Sequence, residues 1–447
     1  MRTLWSRRDF LKTAGSWAGA GLLLPVLKLM GAGKCLAAAY PDEVLYIEKY
    51  TKGKVKPGMI ISKENADLIK AICPEGLFQE LKRGAEIKIA ETDLNPDAMQ
   101  PHYWNEATVR NQGQAVLDSK GQLYHKDGGT WIGGAPFPQA KTALEAIWNF
   151  KFNPRRLDDL SRASIDRSID SNGKVVHELS NVYMQIQTVG RLVVPPPILP
   201  EFKDELHRTL LLILAPYDIY GMSVASTIYY DAAKLPDTDL YIPALRRTRR
   251  VPCSQRFDSA APYAVYFTSD LDMQNDPVLT WKWELAGRKP MLMPSKDNLG
   301  ARLQGSTRES FTWPDVGEKF PRTTWQLRPE MLLVDGTPTA QLEGAPYSKK
   351  RFYYDAVDNL TWVCDIWDLT GKLWKHIISF TGDTGVKDST GKNVVDLTGQ
   401  CYADLQRDYH SNISFFNKHK GMTYLANCGL KIEDWMTPSA MLKKGRR

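Results

Sequence analysis

The chain has 447 residues, of which 43 % are hydrophobic and 24 % are charged, and its formal net charge is +7. That apolar share, together with 32 glycines and 27 prolines, excludes collagen-like and disordered chains. The 13 tryptophans and 19 tyrosines indicate many half-buried surfaces, which strands supply more readily than helices.

The N-terminus has the three parts of an export signal. Residues 6–12 (SRRDFLK) match the twin-arginine consensus, an uncharged apolar stretch spans residues 13–27, and three alanines follow at residues 37–39. We predict a twin-arginine signal peptide over residues 1–39, which would take the folded chain to the periplasm; an uncleaved anchor is the alternative. This segment has a net charge of +5, so the rest of the chain is close to +2 and the charge does not indicate a nucleic-acid partner.

The next part of the chain is predicted to be helical. Residues 65–72 have helical apolar spacing, and residues 74–81 begin with a proline, which the first turn of a helix accepts. A glycine-rich turn over residues 128–138 then leads to a helix over residues 139–150.

From about Ser171 the hydrophobic period changes from helical to two. Apolar and polar side chains alternate in three segments, which are centred on Met184, Trp283 and Cys364. Frequent turns favour a large curved antiparallel sheet, or an unclosed β-barrel, over βαβ units. We therefore predict a mainly β (α+β) fold, with a helical N-terminal region over residues 40–135 and a β domain over residues 136–447.

The motifs of common catalytic and metal sites are missing from the sequence. It has no G-x-S-x-G and no C-x-x-C, and its seven histidines have no metal-binding spacing. Asp270, Asp272 and Asp276 could bind calcium, but the loop glycine of an EF-hand is absent and a turn is the favoured interpretation. We predict no catalytic residue, no metal and no cofactor. The five cysteines after residue 39 are an odd number, and their pairing stays open.

Residues 240–252 contain a cluster of four arginines. In an extended strand Arg247 and Arg249 share a face, while Arg246 and Arg250 point the other way. The favoured interpretation is an edge strand that its charges protect from aggregation. The alternative is a basic rim that holds an anionic lipid head group or the acidic patch of a partner.

Aromatic side chains recur on the strand-like segments, and two interpretations are open for them. They fill a core, or they line a cavity of lipid size on a curved sheet. On the second interpretation the candidate ligand-binding residues, with two of the arginines, are Trp148, Tyr229, Tyr241, Arg247, Arg249, Trp281, Trp283 and Trp362.

Several segments, taken in order, resemble one known family. They are GGAPFP with LEAIWN at residues 133–149, YIP with the arginine cluster at 241–250, PYSKKR at 346–351, residues 365–374 and residues 435–447. They resemble a family of Gram-negative periplasmic proteins of unknown function that is classed as outer-membrane-lipoprotein-sorting-like. The resemblance covers most of the chain from about residue 60 onward.

The resemblance implies a lipoprotein-carrier-like fold, a curved antiparallel sheet with helices over its concave face, which binds acyl chains or other apolar ligands. It also implies a resistance-nodulation-division transporter and an outer-membrane protein as partners, and it implies no catalytic residues. The twin-arginine signal and the longer helical start depart from many relatives, so the set of partners stays open.

Export, alternating aromatic strands and the resemblance together predict a function. We expect a periplasmic carrier for a lipid or another hydrophobic molecule, which works with an envelope transporter and is not an enzyme. One alternative is an adaptor subunit of a transport complex with a filled core. Another is a lipid or ester hydrolase, for which no nucleophile motif is visible.

Overall fold

The structure is a computed structural model that describes residues 40–95, 99–296, 314 and 317–445. The predicted signal peptide over residues 1–39 lies outside the described residues. Within the described ranges no helix has the length and the apolar character that crossing a bilayer requires. All five cysteines in these ranges are free thiols.

Short helices flank a β-rich centre. In the described part of the chain the α-helices are α1 (Asp42–Leu45), α2 (Ile47–Tyr50), α3 (Glu75–Lys82), α4 (His102–Arg110), α5 (Ala143–Lys151), α6 (Ile432–Trp435) and α7 (Pro438–Lys444). Helix α5 begins at a capping box, because the Thr142 hydroxyl accepts a hydrogen bond from the Glu145 amide and the Glu145 carboxylate accepts one from the Thr142 amide. The box starts α5 four residues later than the predicted helix over residues 139–150.

The predicted helix over residues 65–72 is replaced by two 3-10 turns, Ala66–Leu68 and Lys70–Ile72. The Asn65 side chain accepts a hydrogen bond from the Ser62 amide and donates one to the Ile60 carbonyl. These local bonds hold a turn in place of a helix start, in the way that asparagine competes with helical structure.

One large sheet dominates the molecule. The strands in the described residues are β1 (Ile60–Ile61), β2 (Ile87–Ile89), β3 (Ala115–Leu117), β4 (Leu123–His125), β5 (Asp159–Ile169), β6 (Val175–Gln187), β7 (Glu205–Ala215), β8 (Ser223–Tyr229), β9 (Asp237–Ile242), β10 (Arg247–Val251), β11 (Trp281–Pro294), β12 (Thr323–Pro338), β13 (Tyr347–Asp355), β14 (Leu360–Asp368), β15 (Leu373–Lys387), β16 (Asn393–Asp404), β17 (Tyr409–Phe416), β18 (Lys418–His419), β19 (Met422–Thr423) and β20 (Leu425–Ala426).

Sixteen of these strands join in the order β1-β2-β12-β13-β14-β15-β16-β17-β5-β6-β7-β8-β9-β10, with β11 beside β12 and β20 beside β5. The order begins at β1 and ends at β10, so among the described strands the sheet does not close on itself. The prediction of a mainly β fold with one large, unclosed sheet is confirmed.

Two pairings join distant parts of the chain. Strand β17 pairs with β5 in antiparallel orientation, like most strands of the sheet. Strand β2 pairs with β12 in parallel orientation, unlike the other described pairs of the sheet. The predicted helical region over residues 40–135 therefore contributes strands to the main sheet. Its independence as a folding unit stays a prediction.

Both faces of the sheet are covered. The face that we call the inner face carries Phe352 and Ile377 and packs against helix α5 and residues 253–283. The opposite, outer face carries Tyr353 and Ile378 and packs against residues 47–99, which include helix α3. Further along the sheet the outer face of β5–β9 is covered by α6 and α7.

Candidate ligand cavity

Residues 253–280, which we call the strap, cross the inner face and are tied to it by buried carboxylates. Asp270 accepts hydrogen bonds from Lys350 and Lys375 at 2.9 Å each and from the Tyr347 hydroxyl at 2.7 Å. Within the strap, Asp276 accepts a bond from Arg256 Nε at 2.7 Å. Charged bonds of this kind fix one geometry, because a buried charge that loses its partner is costly.

The buried carboxylates of the strap are paired with cationic side chains, so no metal ion is needed to balance their charge. Asp270 is paired with lysines, Asp272 with Arg155 and Arg156, and Asp276 with Arg256. In the described ranges no cluster of histidine, cysteine and acidic side chains has the arrangement of a metal site.

A cavity of about 160 Å³ lies between the strap and the inner face of β5–β8, β16 and β17. It is closed on one side by the C-terminal end of helix α5 and by the turn that follows it. Its apolar lining includes Leu160, Leu211, Val224, Ile228, Ile413 and Phe415. Its polar lining includes Arg155, Arg156, Arg162, Gln185, Asp272 and Asp396.

The register of the sheet places Arg162, Tyr183, Leu211 and Val224 in one row across β5–β8, each the direct partner of the next. Neighbouring strands lie about 4.8 Å apart, so the row spans about 14 Å. It joins a charged end at β5 to an apolar end at β8.

The polar side of strand β6 faces the cavity. Tyr183 and Gln185 line it, whereas Val182 and Met184 lie on the outer face under helices α6 and α7. The alternating apolar residues, from which this strand is predicted, therefore lie on its packed outer face. The cavity lies on the other side.

Two arginines share one carboxylate at the strap end of the cavity. Arg155 Nη2 donates to Asp272 Oδ1 at 3.2 Å, and Arg156 Nη2 donates to Asp272 Oδ2 at 2.6 Å. Arg156 Nη1 also donates to Gln185 Oε1 at 3.1 Å. One negative charge thus faces two positive charges.

Arg162 is held by a carboxylate and two aromatic rings. Its Nη1 donates to both carboxylate oxygens of Asp396, at 2.6 and 2.5 Å. Its guanidinium carbon lies 4.3 Å from the ring centre of Phe415 and 5.1 Å from that of Tyr183. These contacts fix the orientation of the guanidinium.

Burial and charge shift the ionisation of the cavity residues. Burial lowers the pKa of Lys151 to about 7, and the charge of Arg156 acts in the same direction. Burial also holds the pKa of His207 well below its usual value. For Asp272 burial acts upward, but the charges of Arg155 and the neighbouring arginines outweigh it and lower the pKa. At neutral pH the guanidiniums therefore dominate the charge of the cavity.

Three predicted site residues lie in the inner-face core and not at the cavity. Trp148, on α5, donates from Nε1 to the Gly121 carbonyl at 2.9 Å. Trp281 and Trp283 stack with ring centres 6.0 Å apart, and Trp281 Nε1 donates to Asp276 at 3.1 Å. Their indoles fill space between the strap and the sheet.

Three further predicted residues are spread over the molecule. The Tyr229 hydroxyl donates to Asp237 Oδ2 at 2.8 Å near the end of β8. Tyr241 is buried on the outer face with α6 and α7. Trp362 is fully buried in the outer-face core, because a register shift opposite Tyr353 interrupts the alternation that would place it beside Cys364.

Arg247 and Arg249 lie exposed in β10, which is the last strand of the sheet order. Arg250, on the other side of the strand, pairs with Asp237 and Asp239 at 3.0 and 3.1 Å. Among the described strands the cluster therefore lies on a charged edge strand, except for Arg246, which belongs to the turn before β10. Its role in protection from aggregation stays a prediction. None of the eight predicted ligand-binding residues lines the cavity.

The glycine-rich run before α5 is a packing motif. Gly134 has φ +75°, and a Cβ atom there would lie 2.4 Å from the Thr108 nitrogen. The Gly134 carbonyl accepts a bond from Trp131 Nε1 at 2.9 Å, and the Gly133 carbonyl accepts one from Asn111 at 2.9 Å. Glycine is needed for both the backbone conformation and the close approach to α4.

Solved structures provide comparisons for this arrangement. A structure from Desulfovibrio piger, of a protein of the DUF1329 family, is 15 % identical and has a TM-score of 0.44, and the match covers 67 % of this chain and 95 % of that one. A candidate outer membrane lipoprotein-sorting protein domain from Vibrio parahaemolyticus is 12 % identical with a TM-score of 0.42, over 64 % and 91 % of the two chains. A LolA superfamily protein from Nitrosomonas europaea is 11 % identical with a TM-score of 0.39, over 67 % and 99 %.

No curated protein matches the chain in sequence. A family model does match it, over residues 60–441, which is most of the chain and includes every cavity residue. The predicted resemblance is thereby confirmed. The chain belongs to the family described as "Protein of unknown function (DUF1329)".

Proposed function

We propose that the protein is a periplasmic carrier that binds a lipid or another hydrophobic molecule in the cavity beneath the strap. The observation that carries this proposal is the cavity itself, whose wall includes incompletely covered apolar side chains. Leu211 and Val224 are direct partners on β7 and β8, and both remain part-exposed toward the cavity. A ligand that covered them would gain about 25 cal/mol per Å² of apolar surface removed from water.

We also propose that the protein is not an enzyme. The buried Asp365–His376 pair, with 2.6 Å between Oδ1 and Nδ1, has the spacing of the acid and base of a hydrolase. However, His376 Nε2 has no hydrogen-bond partner among the described residues, so no hydroxyl or thiol is positioned there as a nucleophile. The pair lies under helix α3 and pins the Gly76 amide, which bonds to Asp365 at 3.2 Å.

The periplasmic location and the transporter partner are also part of the proposal. They are supported by the predicted signal peptide over residues 1–39 and by the resemblance to a family of periplasmic proteins. A carrier that passes its ligand to an envelope transporter needs a surface for docking, and the exposed β10 edge with Arg247 and Arg249 is available for it.

The experiment is a ligand-capture assay on the full chain. Protein purified from its native periplasm is analysed by native mass spectrometry, and the extracted organic phase is then analysed for apolar molecules. In parallel, the Val224→Trp variant places a large ring inside the cavity. Val176→Trp is the matched control, because Val176 is an exposed strand residue away from the cavity.

We expect the wild-type protein and Val176→Trp to carry the same apolar ligand and Val224→Trp to lose it. Equal occupancy in the two variants would show that the ligand does not lie in this cavity. A wild-type protein that neither carries nor takes up an apolar molecule would refute the carrier function.

The exposed charge of β10 favours one second candidate, an adaptor subunit of an envelope transport complex. In that case the arginine edge docks a partner and the cavity has no ligand. The two candidates differ in which substitutions matter, since the adaptor depends on Arg247 and Arg249 and is insensitive to Val224→Trp.

A further inference from the structure

The cavity has more positive than negative charge in its wall. Its lining includes Lys151 and the guanidiniums of Arg155, Arg156 and Arg162, whereas Asp272 and Asp396 are the carboxylates among the described lining residues. Lys151 Nζ is already used, because it donates to the carbonyls of Gln274 and Asp276 at 2.9 and 3.1 Å. Without the lysine, three guanidiniums still face two carboxylates.

The same arginines have N–H groups without acceptors. Nε and Nη1 of Arg155, Nε of Arg156 and Nε of Arg162 have no hydrogen-bond partner among the described residues. Arg155 is only 5 % exposed and Arg162 only 7 % exposed. A buried guanidinium donor without an acceptor destabilises the folded chain, and the surplus positive charge adds to that cost.

Two amides extend this set of donors. Gln185 Oε1 accepts bonds from Arg156 Nη1 and from the Tyr183 hydroxyl, which leaves Gln185 Nε2 without a partner in the described structure. Gln274 Nε2, on the strap, is in the same state. Both side chains line the cavity and are almost fully buried.

All of these groups are donors, so their missing partner is an acceptor. The guanidinium and amide side chains line one cavity. Their N–H groups match the oxygens of a carboxylate or a phosphate, which accept several bonds and supply the negative charge. From Arg162 the row of residues continues to Leu211 and then to Val224, about 14 Å away. These two apolar side chains line the cavity on β7 and β8, beside the polar Thr209 and Ser226.

We propose that the cavity binds an anionic amphiphile, with its carboxylate or phosphate head group held by Arg155, Arg156 and Arg162 and its apolar chain directed toward β7 and β8. This inference rests on the proposed carrier function, for which it names the class of ligand. A neutral apolar molecule would leave the same donors without acceptors and is bound less tightly.

The test compares ligands that share one chain and differ in the head group. Isothermal titration calorimetry on the delipidated full chain uses dodecanoate, dodecyl phosphate, dodecan-1-ol and inorganic phosphate. We expect both acids to bind about tenfold or more tightly than the alcohol, since each charge-assisted bond is worth about a factor of ten. Inorganic phosphate lacks the apolar chain and is expected to bind more weakly than dodecyl phosphate.

Arg155→Gln is the informative variant, because it removes the most completely unpartnered guanidinium. We expect it to lose about tenfold in affinity for dodecanoate, with unchanged affinity for dodecan-1-ol. Arg110→Gln, an exposed arginine on α4, is the matched control and leaves both affinities unchanged. Since the wild-type comparison of acid with alcohol needs no variant, the test holds even where Arg155→Gln fails to fold.

The outcomes separate the two proposals. Equal affinity for the acids and the alcohol would overturn the head-group site and leave the carrier function standing. Binding of inorganic phosphate as tight as that of dodecyl phosphate would show an anion site without an acyl chain, and would overturn both proposals. Failure of all four ligands to bind would also overturn both.

Discussion

Lys350 Nζ donates a hydrogen bond to Asp270 Oδ1 at 2.9 Å, and both side chains are completely buried. Lys375 donates to the other oxygen of the same carboxylate, so one residue of the strap binds two lysines of the sheet. The strap is therefore held over the cavity by charge as well as by the apolar side chains that it packs into the core.

Asp270→Ala is expected to lower the free energy of unfolding by about 3–5 kcal/mol, because it leaves two ammonium groups buried without their counter-ion. Urea denaturation measures this difference. Asp258→Ala, at an exposed aspartate of the same strap, is the control and changes stability by less than about 0.5 kcal/mol. Equal losses in the two variants would show that Asp270 is not the anchor of the strap.

Gly134→Ala is expected to destabilise the fold by more than Gly128→Ala. Both glycines have positive φ, +75° and +89°, so both substitutions carry the strain of that conformation, about 1 kcal/mol. Only Gly134 also has the Thr108 nitrogen 2.4 Å from the position of the new Cβ, whereas nothing lies within 4 Å at Gly128. Thermal melts of the two variants provide the measurement, and a similar melting temperature for both would contradict the packing role of the motif.

The buried Asp166 is expected to make stability depend on pH. Burial raises its pKa to about 7, although its bond from the Tyr266 hydroxyl at 2.5 Å acts in the opposite direction. Between about pH 4 and pH 7 the folded chain then binds this proton more often than the unfolded chain does, so stability falls as the pH rises through that window.

Asp166→Asn removes this titration. The stability of the variant relative to wild type is expected to rise between pH 5 and pH 8, by up to about 3 kcal/mol at about 1.4 kcal/mol per pKa unit. Denaturation midpoints at the two pH values measure the gain, with Asp258→Asn as the exposed control. A difference between variant and wild type that does not change with pH would contradict the raised pKa.

The double variant Arg247→Glu with Arg249→Glu tests the edge of β10. Both side chains are exposed, so the melting temperature is expected to stay within about 2 °C of wild type. If β10 docks a partner, the variant loses co-purification of that partner, because reversed charges repel an acidic surface. Unchanged recovery would leave the arginines with the single role of protecting the sheet edge.

The sequence predicted the class of fold because period-two alternation is a local signal. Val182 and Met184 alternate with Tyr183 and Gln185 as a half-buried strand requires, and β6 keeps that alternation through Ile186 and Gln187. A strand has two sides, and the one that faces a cavity depends on which structural elements cover the opposite one. For β6 that cover is α6 and α7, about 250 residues later in the chain.

The cavity residues could not be predicted for a related reason. Arg162 lies in a strand whose sequence, DLSRASIDRSI, has polar residues on both sides, so no alternation marks its orientation. Its partner Asp396 is 234 positions away, and Asp272 is 117 positions from Arg155. The aromatic residues gave a clear local signal, but large indoles such as Trp148 pack most stably where they are enclosed.

The pairing of β17 with β5 joins residues roughly 240 positions apart, and the cavity takes its walls from both partners. During synthesis β5–β8 are made long before β16 and β17, so β5 has an open edge until β17, near the end of the chain, appears. The complete cavity therefore does not exist until β17 has been made. On the proposed carrier function, a ligand enters only after β17 has paired with β5.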